Sequence, residues 1–460
     1  MINVDPKITP QSLLPALDQL FALSGEKIRR LQKRWNPERG TPVFTVRGEY
    51  TSRGWTEWTQ GFQFGGALYQ FEITRDEEFL DIGRRNTVDL MASHVTHIGV
   101  HDHGFNNVST YGNLLRLMRE KVIPFDAWEK NFYELALKAS GAIQAARWTA
   151  LGPDAGYIYS FNGPHSLFAD TIRSLRALAL GHQLGHCLMG EMDRPISLLA
   201  RLLQHAETTA KFAVFYGQGR DFYDVRGRTA HESIFNVNDG AYRCPNSQQG
   251  YSPFTTWTRG LAWILCGYPE ELEFLAGRPE AEFEPFGGKA KILARFLEVA
   301  EAVADFYLAY TPTDGVPYWD TGAPGLAHMG DYLNRPAEPF NDHEPADSSA
   351  AAISAQGLLR LGAYLSGLGQ NEKGARYTQA GLTVARTLFH EPYLSLDPAH
   401  EGLILHSIYH RPNGWDYIPP GRRQPCGEAS MWGDYHAREL AVMLHRLAHG
   451  QPAQRFCDTF

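Results

Sequence analysis

Cysteine is scarce: Cys187, Cys244, Cys266, Cys426 and Cys457 are the five in 460 residues, far apart and with no CxxC pair. That leaves neither a disulfide framework nor a thiolate zinc site, and it fits a reducing compartment. No run of about 18 apolar residues occurs, so no membrane-spanning helix is expected. Basic residues are not in excess, with 43 Lys and Arg against 51 Asp and Glu for a formal charge of −8. The acids are spread without a tail, which argues against a nucleic-acid or membrane-surface partner. The opening MINVDPKITPQSLLPALDQLF lacks the basic, apolar and small-residue regions of a signal peptide and places its apolar residues at helical spacing. The expected location is the cytoplasm, or the periplasm if a leader was trimmed. No Ser/Gly-rich linker or charge block divides the chain, so residues 1–460 read as a single domain.

What is present is a globular composition, 43% apolar and 12% aromatic with 20% charged residues, enough for a sizeable core. Pairs of helical patterns joined by short polar turns recur. Gly65 to Met91, Gly260 to Leu275 and Gly357 to Phe389 place apolar residues at i, i+3, i+4 and i+7. Phe125 to Ala150, Phe168 to Met189, Ser197 to Phe215 and Lys289 to Tyr310 extend the series, while strand-like alternation is confined to short stretches such as GLILHSIYH. Repeated hairpins without one strict period suit an open solenoid or a closed ring. The Gly/Ala/Ser-rich run SSAAAISAQGLL, Ser348 to Leu359, favours close inward packing and therefore the ring. The expected fold is all-α, an (α/α)6 toroid of helical hairpins, with the site at one mouth among loops rich in Trp, Tyr, His, Asp and Arg.

Three clusters carry candidate chemistry. His94, His97, His101, Asp102 and His103 offer imidazoles at helical spacing, as do His182 and His186. Without an HExxH motif or a suitable carboxylate they read as solvated or hydrogen-bonded histidines, and no metal is expected. Asp102 lies at a helix-to-loop junction that Gly104 is expected to form, and is either a functional carboxylate or the N-cap of the next helix. Asp170 lies at or near the head of an apolar helix between Phe168, Ala169, Thr171 and Ile172. There, desolvation is expected to raise its pKa toward a value useful for proton transfer; a cap or a buried pair with Arg173 or Arg176 is the competing reading. Paired carboxylates in an aromatic-lined toroid suggest sugar chemistry. In the third cluster, His231 to Trp263, Arg259 and Trp263 are four apart and share a helix face, where a guanidinium can clamp a carboxylate and an indole can stack on a sugar. Core tryptophans at 257 and 263, with Arg259 paired to a surface acid, fit equally well.

Seven motifs in order give these residues a family resemblance. WTQGF with GGALYQFEITRDEEFL, HDHGF, ADT at 169–171, TTWTRGLAW, PADSSAAAISAQGLL and MWGDYHARELAV resemble segments of the unsaturated glucuronyl hydrolases, glycoside hydrolase family 88, and of the related unsaturated rhamnogalacturonyl hydrolases of family 105. The most specific likeness is spacing: His231 precedes Gln249 by eighteen residues, and Gln249 precedes Arg259 by ten and Trp263 by fourteen, as in the family's uronate subsite. The resemblance implies Asp170 as catalytic acid/base, Asp102 as its supporting carboxylate, and Trp58 and Phe161 as aromatic walls. His231, Gln249 and Arg259 would hold the carboxylate and water while Trp263 and Trp58 sandwich the ring.

The activity so implied is removal of a 4,5-unsaturated uronic acid from the non-reducing end of lyase-made oligosaccharides by hydration of the C4=C5 vinyl ether. It needs no cofactor, its partner is the oligosaccharide alone, and a monomer or homodimer suffices. Asp170 is expected to be kept protonated by its surroundings and by Asp102. Four departures leave the linkage and the branch open: His103 for Leu, Leu261 for Gln, Phe161 for Trp, and ADTIRS without Met-Met-Asn. The Pro- and Gly-rich region 314–347 either shapes an outer subsite or covers the barrel. Alternatives are a toroid hydrolase, epimerase or lyase acting on saturated sugars, and a non-catalytic carbohydrate-binding toroid.

Overall fold

Two kinds of helix alternate along the chain, and their burial tells them apart. The computed structural model describes residues 1–54 and 57–459. The outer helices bury one stripe and expose the other, as amphipathic sequences require. These are α1 Leu14–Arg34, α3 Glu77–Leu90, α5 Ala127–Ala146, α7 Leu198–Phe212, α9 Lys289–Tyr310 and α11 Asn371–Leu388. The inner helices are buried nearly all round. They comprise α2 Gln60–Thr74, α4 (His103–Asn107, the π-helical turn Val108–Gly112 and Asn113–Arg119), α6 (Thr171–Ser174 and Arg176–Gln183), α8 Thr258–Ala276, α10 Ser348–Gly367 and α12 Met431–Ala448. Side-chain caps fix several starts: Asp126 accepts from Glu129 N, Asp347 from Ser349 N and Ala350 N, and Ser430 from Gly433 N.

Each inner helix packs on the next, and α12 returns to α2, closing the (α/α)6 ring expected from the hairpin patterns. Small residues permit the approach: a Cβ on Gly357 of α10 would lie 2.2 Å from Leu265 O of α8. The axis of the ring is filled by charge. Arg173, fully buried, donates to Glu270 through Nε and Nη2 at 3.0 Å each and to Glu439 at 2.9 Å, and it contacts His436. Arg176 and Arg360 reach the same Glu270. Below this network the C-terminal segment closes the far mouth, where Arg360 donates to Gln454 O and Gln454 Nε2 donates to Glu439 O.

Short antiparallel strands decorate the other mouth, except for the hairpin of residues 187–197, which follows the end of α6 on the side of the C-terminal segment. β1 Thr41–Val46 pairs with β2 Glu49–Arg53, β3 Trp148–Gly152 with β4 Ala155–Ile158, and β6 Cys187–Met189 with β7 Pro195–Ser197. β5 Ser166–Phe168, β8 Glu232–Phe235 and β9 Tyr242–Asn246 form a three-stranded sheet. GLILHSIYH, expected to alternate as a strand, forms only isolated bridges, because the Asp434 carboxylate takes the amides of Leu403 and Ile404. Pro269 does not interrupt α8. Residues 314–347 lie over the barrel, pairing Asp320 with Trp257 and Tyr318 with Ala346.

Candidate active site

The inner helices all begin at one mouth, around a cavity of about 370 Å³, within the range of small-molecule sites. Trp58 precedes α2, Asp102 precedes α4, Asp170 precedes α6, and Arg259 and Trp263 occupy the first turns of α8; all line the cavity. Helix N-termini carry partial positive charge, so their convergence favours an anionic ligand. None of residues 314–347 lines the cavity. That segment instead braces the loop before α8: Asp320 accepts from Tyr251 N at 2.8 Å, and Thr258 N donates to Trp319 O.

Asp102 and Asp170, 68 positions apart in the chain, meet at one imidazole. His101 Nε2 lies 3.4 Å from Asp170 Oδ1 and 3.8 Å from Asp102 Oδ1. The close contact of α4 with α6 brings them together. Gly104 N donates to Ser174 Oγ at 2.9 Å, Ser174 Oγ donates to His101 O at 2.6 Å, and Gln144 Nε2 donates to both. Gly104 therefore does not end a helix, as the sequence suggested. It sits in the first turn of α4, where only a missing Cβ allows the approach, since an added one would fall 2.3 Å from Ser174 O. Both aspartates occupy N-cap positions without making a side-chain cap bond. The capping reading falls for each, and so does the ion-pair reading for Asp170, because Arg173 and Arg176 face the axial network instead.

The electrostatics divide the pair. Burial pushes Asp102 above its ordinary value, His101 opposes and Asp170 adds to the rise. Burial also raises Asp170, but the neighbouring His101, with His231, outweighs it and holds the carboxyl below its usual range. The expectation that desolvation keeps Asp170 protonated is thus reversed by an imidazole 3.4 Å away. Burial drives His231 down to about 3, so it is neutral near pH 7 and the charge on Asp170 is set by His101. Burial lowers His101 as well, yet Asp102 and Asp170 more than compensate and raise it.

The other expected residues divide between the cavity and its wall. Gln249, Arg259, Trp263, Trp58 and Phe161 line the cavity, whereas His231 stands behind the wall. The sheet sets it there: Ala169 N donates to His231 O, the ring packs on Phe168 and Trp257, and Nδ1 accepts from the amides of Gln248 and Gln249. Arg259 is no open clamp. Its Nη1 donates to Asp347 at 3.2 Å and to Ile408 O, and its Nη2 donates to Gln249 Oε1 at 2.9 Å and Tyr409 O at 2.7 Å. Only Nε–H of its five donors is left for a ligand. The guanidinium lies over the rings of Trp257 and Trp432 at 4.7 and 4.9 Å, paired with a buried acid rather than a surface one. Trp58 stacks on Trp432 at 4.9 Å, Trp263 forms the floor against Phe105 and His436, and half-exposed Phe161 stacks on His101.

Sequence reasoning missed Glu57, which lines the cavity and is pushed up to about 7 by burial and by Asp102. Its signal was its place just before Trp58 in WTEWTQGF. Tyr409, His410 and Trp415 were missed as well, and Trp257 was weighed only as core. Trp415 packs on His410 at 4.8 Å and Tyr409 at 5.2 Å and stays 44% exposed, with Arg53 above it at 5.1 Å. His182, for which no carboxylate was foreseen, pairs with Glu282 at 2.9 Å. Among the described residues no group of three or more His, Cys, Asp or Glu is placed to hold a metal ion. No helix there is long and apolar enough to cross a membrane.

A toroid with acids and tryptophans gathered around one cavity at the starts of its inner helices has the form of a small-molecule site. No family model matches the chain. Among curated proteins it is 27% identical over 406 residues to an unsaturated glucuronyl hydrolase of Bacillus sp. (strain GL1), covering 85% of this chain and 87% of that one. It is 25% identical over 385 residues to an unsaturated glucuronyl hydrolase of Formosa agariphila, covering 83% and 78%. The fold is shared with the crystal structure of the Bacillus sp. GL1 enzyme, described as responsible for the degradation of glycosaminoglycan, with a TM-score of 0.71 at 24% identity over 94% of this chain and 97% of that one. The chain is thus related over most of its length to the unsaturated glucuronyl hydrolases, as its motifs implied.

Proposed function

We propose that this protein is a glycosidase that removes a 4,5-unsaturated uronic acid from lyase-made glycosaminoglycan-type oligosaccharides by hydrating the C4=C5 bond, with residues 1–460 acting as one unit. The observation that carries the reading is the single cavity in which Asp170, His101 and Asp102 face Trp58, Trp263, Gln249 and Arg259. Displacement mechanisms place their two carboxyl groups on opposite sides of the sugar. Here both acids lean on one imidazole and so stand on the same side of a bound ring, which suits one acid/base with a supporting partner. Asp170 gives a proton to C4, and positive charge develops at C5 and the ring oxygen. Water, losing its proton to the same Asp170, adds at C5. The resulting hemiketal opens to a keto sugar whose C1, now a hemiacetal, collapses to the aldehyde and releases the aglycone as a free hydroxyl at its new non-reducing end.

Substrate recognition follows from the walls. Arg259 and the helix N-termini supply positive potential for the uronate, and Gln249 is oriented by both Arg259 and His231. Trp263 and Trp58 flank the planar ring. The second sugar leaves the cavity past Trp415, the half-exposed indole at the mouth.

The test is ultraviolet absorbance of the C4=C5 bond during incubation with unsaturated disaccharides from chondroitin, heparin, hyaluronan, gellan and rhamnogalacturonan. Loss of absorbance with the parent and persistence with Asp170→Asn is expected, with binding of the disaccharide retained. Cleavage of a saturated glucuronide with no attack on its unsaturated counterpart would overturn the reading in favour of ordinary glycoside hydrolysis.

A further inference from the structure

The reaction needs a proton on Asp170, yet the groups around Asp170 favour its carboxylate. The proton must therefore rest close by. His101 is 1% exposed, its ring stacked on Phe161 at 6.1 Å and edge-on to Phe168 at 5.6 Å. The residue is held by its backbone, since His101 O accepts from Ser174 Oγ and Gln144 Nε2. Neither ring nitrogen has a hydrogen-bond partner, and Asp170 Oδ1 is likewise buried without one. Nε2 sits within 4 Å of both carboxylates but off the line of a settled hydrogen bond. A buried imidazole that is fixed by its backbone, with its nitrogen between two acids, has no evident packing reason to be a histidine.

We propose that His101 is the positioning residue that holds the proton Asp170 delivers. The inference rests on the hydration reading above. In the resting protein the imidazolium lies between the Asp102 and Asp170 carboxylates. As the anionic, planar uronate enters, the carboxylate of Asp170 loses solvent and takes the proton: the N–H bond breaks and the O–H bond forms. Asp170 then protonates C4, using the electron pair of the double bond. Water adding at C5 gives its proton to Asp170, which returns it to His101, so the cycle closes with one water consumed and no net change in the protein. Asp102 keeps the imidazole charged and oriented throughout. The groups facing His101 are Asp102 and Asp170, which favour its charged form, and Arg147, which opposes it. His205 and His231 also face it and, lowered to about 3, are neutral.

Two measurements test this on the full-length protein. In the first, the pH profile of kcat/KM is compared for the parent and His101→Asn, whose amide fits between the acids but holds no proton. The alkaline limb is expected to move down by about one pH unit or more, because protonation then depends on carboxyl groups alone. A loss that is uniform across pH, with the limb unmoved, would mark a structural role and overturn the proposal. In the second, the imidazole of His101 is titrated by NMR in the parent and in Asp170→Asn, its signal assigned by its absence from His101→Gln. Its midpoint is expected to fall by about one unit when the carboxylate is removed. An unchanged midpoint would refute the coupling. This second arm needs no substrate, so a parent that hydrates none of the disaccharides would sink the functional reading while the His101 titration still decides the proton's place.

Discussion

Gly104→Ala tests how the two acids are brought together. The added Cβ would lie 2.3 Å from Ser174 O and 2.6 Å from Ser174 Cα, against an ordinary contact of 3.4 Å or more. Both obstacles are backbone, so no side chain can swing aside. The start of α4 must retreat from α6 by about 1 Å, stretching the 2.9 Å bond from Gly104 N to Ser174 Oγ and moving His101 and Asp102 off Asp170. Overpacking of this kind costs about 1 to 3 kcal/mol, and a misplacement of about 1 Å at a reacting group costs on the order of 100-fold in rate. The expected result is a folded variant with a lower melting temperature, kcat down about 100-fold and KM changed only a few-fold, because Arg259, Gln249 and Trp263 sit on other elements. Steady-state kinetics on the best disaccharide, with circular dichroism and a thermal melt, read all three quantities. Parent-like kcat in a variant that is measurably destabilised would refute the argument that this contact sets the geometry of the pair.

Three further outcomes follow from the geometry. Trp415→Ala should raise KM for unsaturated disaccharides by about 10-fold, equivalent to about 1.4 kcal/mol of lost stacking, while leaving turnover of an unsaturated methyl glycoside unchanged. Equal effects on both substrates would remove Trp415 from the aglycone side. Arg173→Met removes the three hydrogen bonds Arg173 gives to Glu270 and Glu439, leaving Glu270 only its longer contacts with Arg176 and Arg360, and should lower stability by about 3 to 5 kcal/mol in urea unfolding, well above the effect of a surface arginine. Burial pushes Glu72 up, but Arg116 at 2.6 Å and Arg446 at 3.0 Å outweigh it and hold its carboxyl below 4.5. A depressed acid stabilises the fold above its unfolded value and loses that contribution as pH falls through the folded one. The melting-temperature gap between the parent and Glu72→Gln should therefore narrow below pH 4.5, and a gap constant with pH would contradict this assignment.

The hairpins were readable because burial imposes periodicity. Lys289–Tyr310 was delimited from its pattern alone, and SSAAAISAQGLL was recognised as an inner wall by the smallness of its residues. Motif order and the His231, Gln249, Arg259 and Trp263 spacing pointed to one subsite, and five of the six residues named for it line one cavity: Gln249, Arg259, Trp263, Trp58 and Phe161. Sequence did not disclose the state of those groups. Arg259 read equally as a clamp or as the partner of a surface acid because the buried Asp347 carboxylate and the carbonyls of Ile408 and Tyr409 that hold it come from segments 88 residues and more away. Asp170 looked desolvated because its flanks are apolar, yet a histidine in another motif sets its charge. His101 itself was weighed as a metal ligand and read as a solvated or hydrogen-bonded histidine, since nothing local announces an imidazole between two acids. Gly104 was read as a helix stop, the commoner use of glycine, although its purpose is contact with a helix 70 residues on. Glu57, Tyr409 and Trp415 belong to no periodic element, so only the closed ring places them beside the site.

The filled axis has a consequence for how polymers are handled. With Arg173, Glu270, Glu439 and His436 packed beneath the indole of Trp263, and the C-terminal segment across the opposite mouth, the toroid has a well and no tunnel. A chain cannot thread through such a ring, nor lie across it with its middle at Asp170. It enters by one end, to the depth of one ring, and both products back out the way they came. On the hydration reading such a well cuts once per chain end and then lets go, because the shortened chain carries no C4=C5 bond, so throughput is bounded by how often lyase-made unsaturated ends arrive at the mouth.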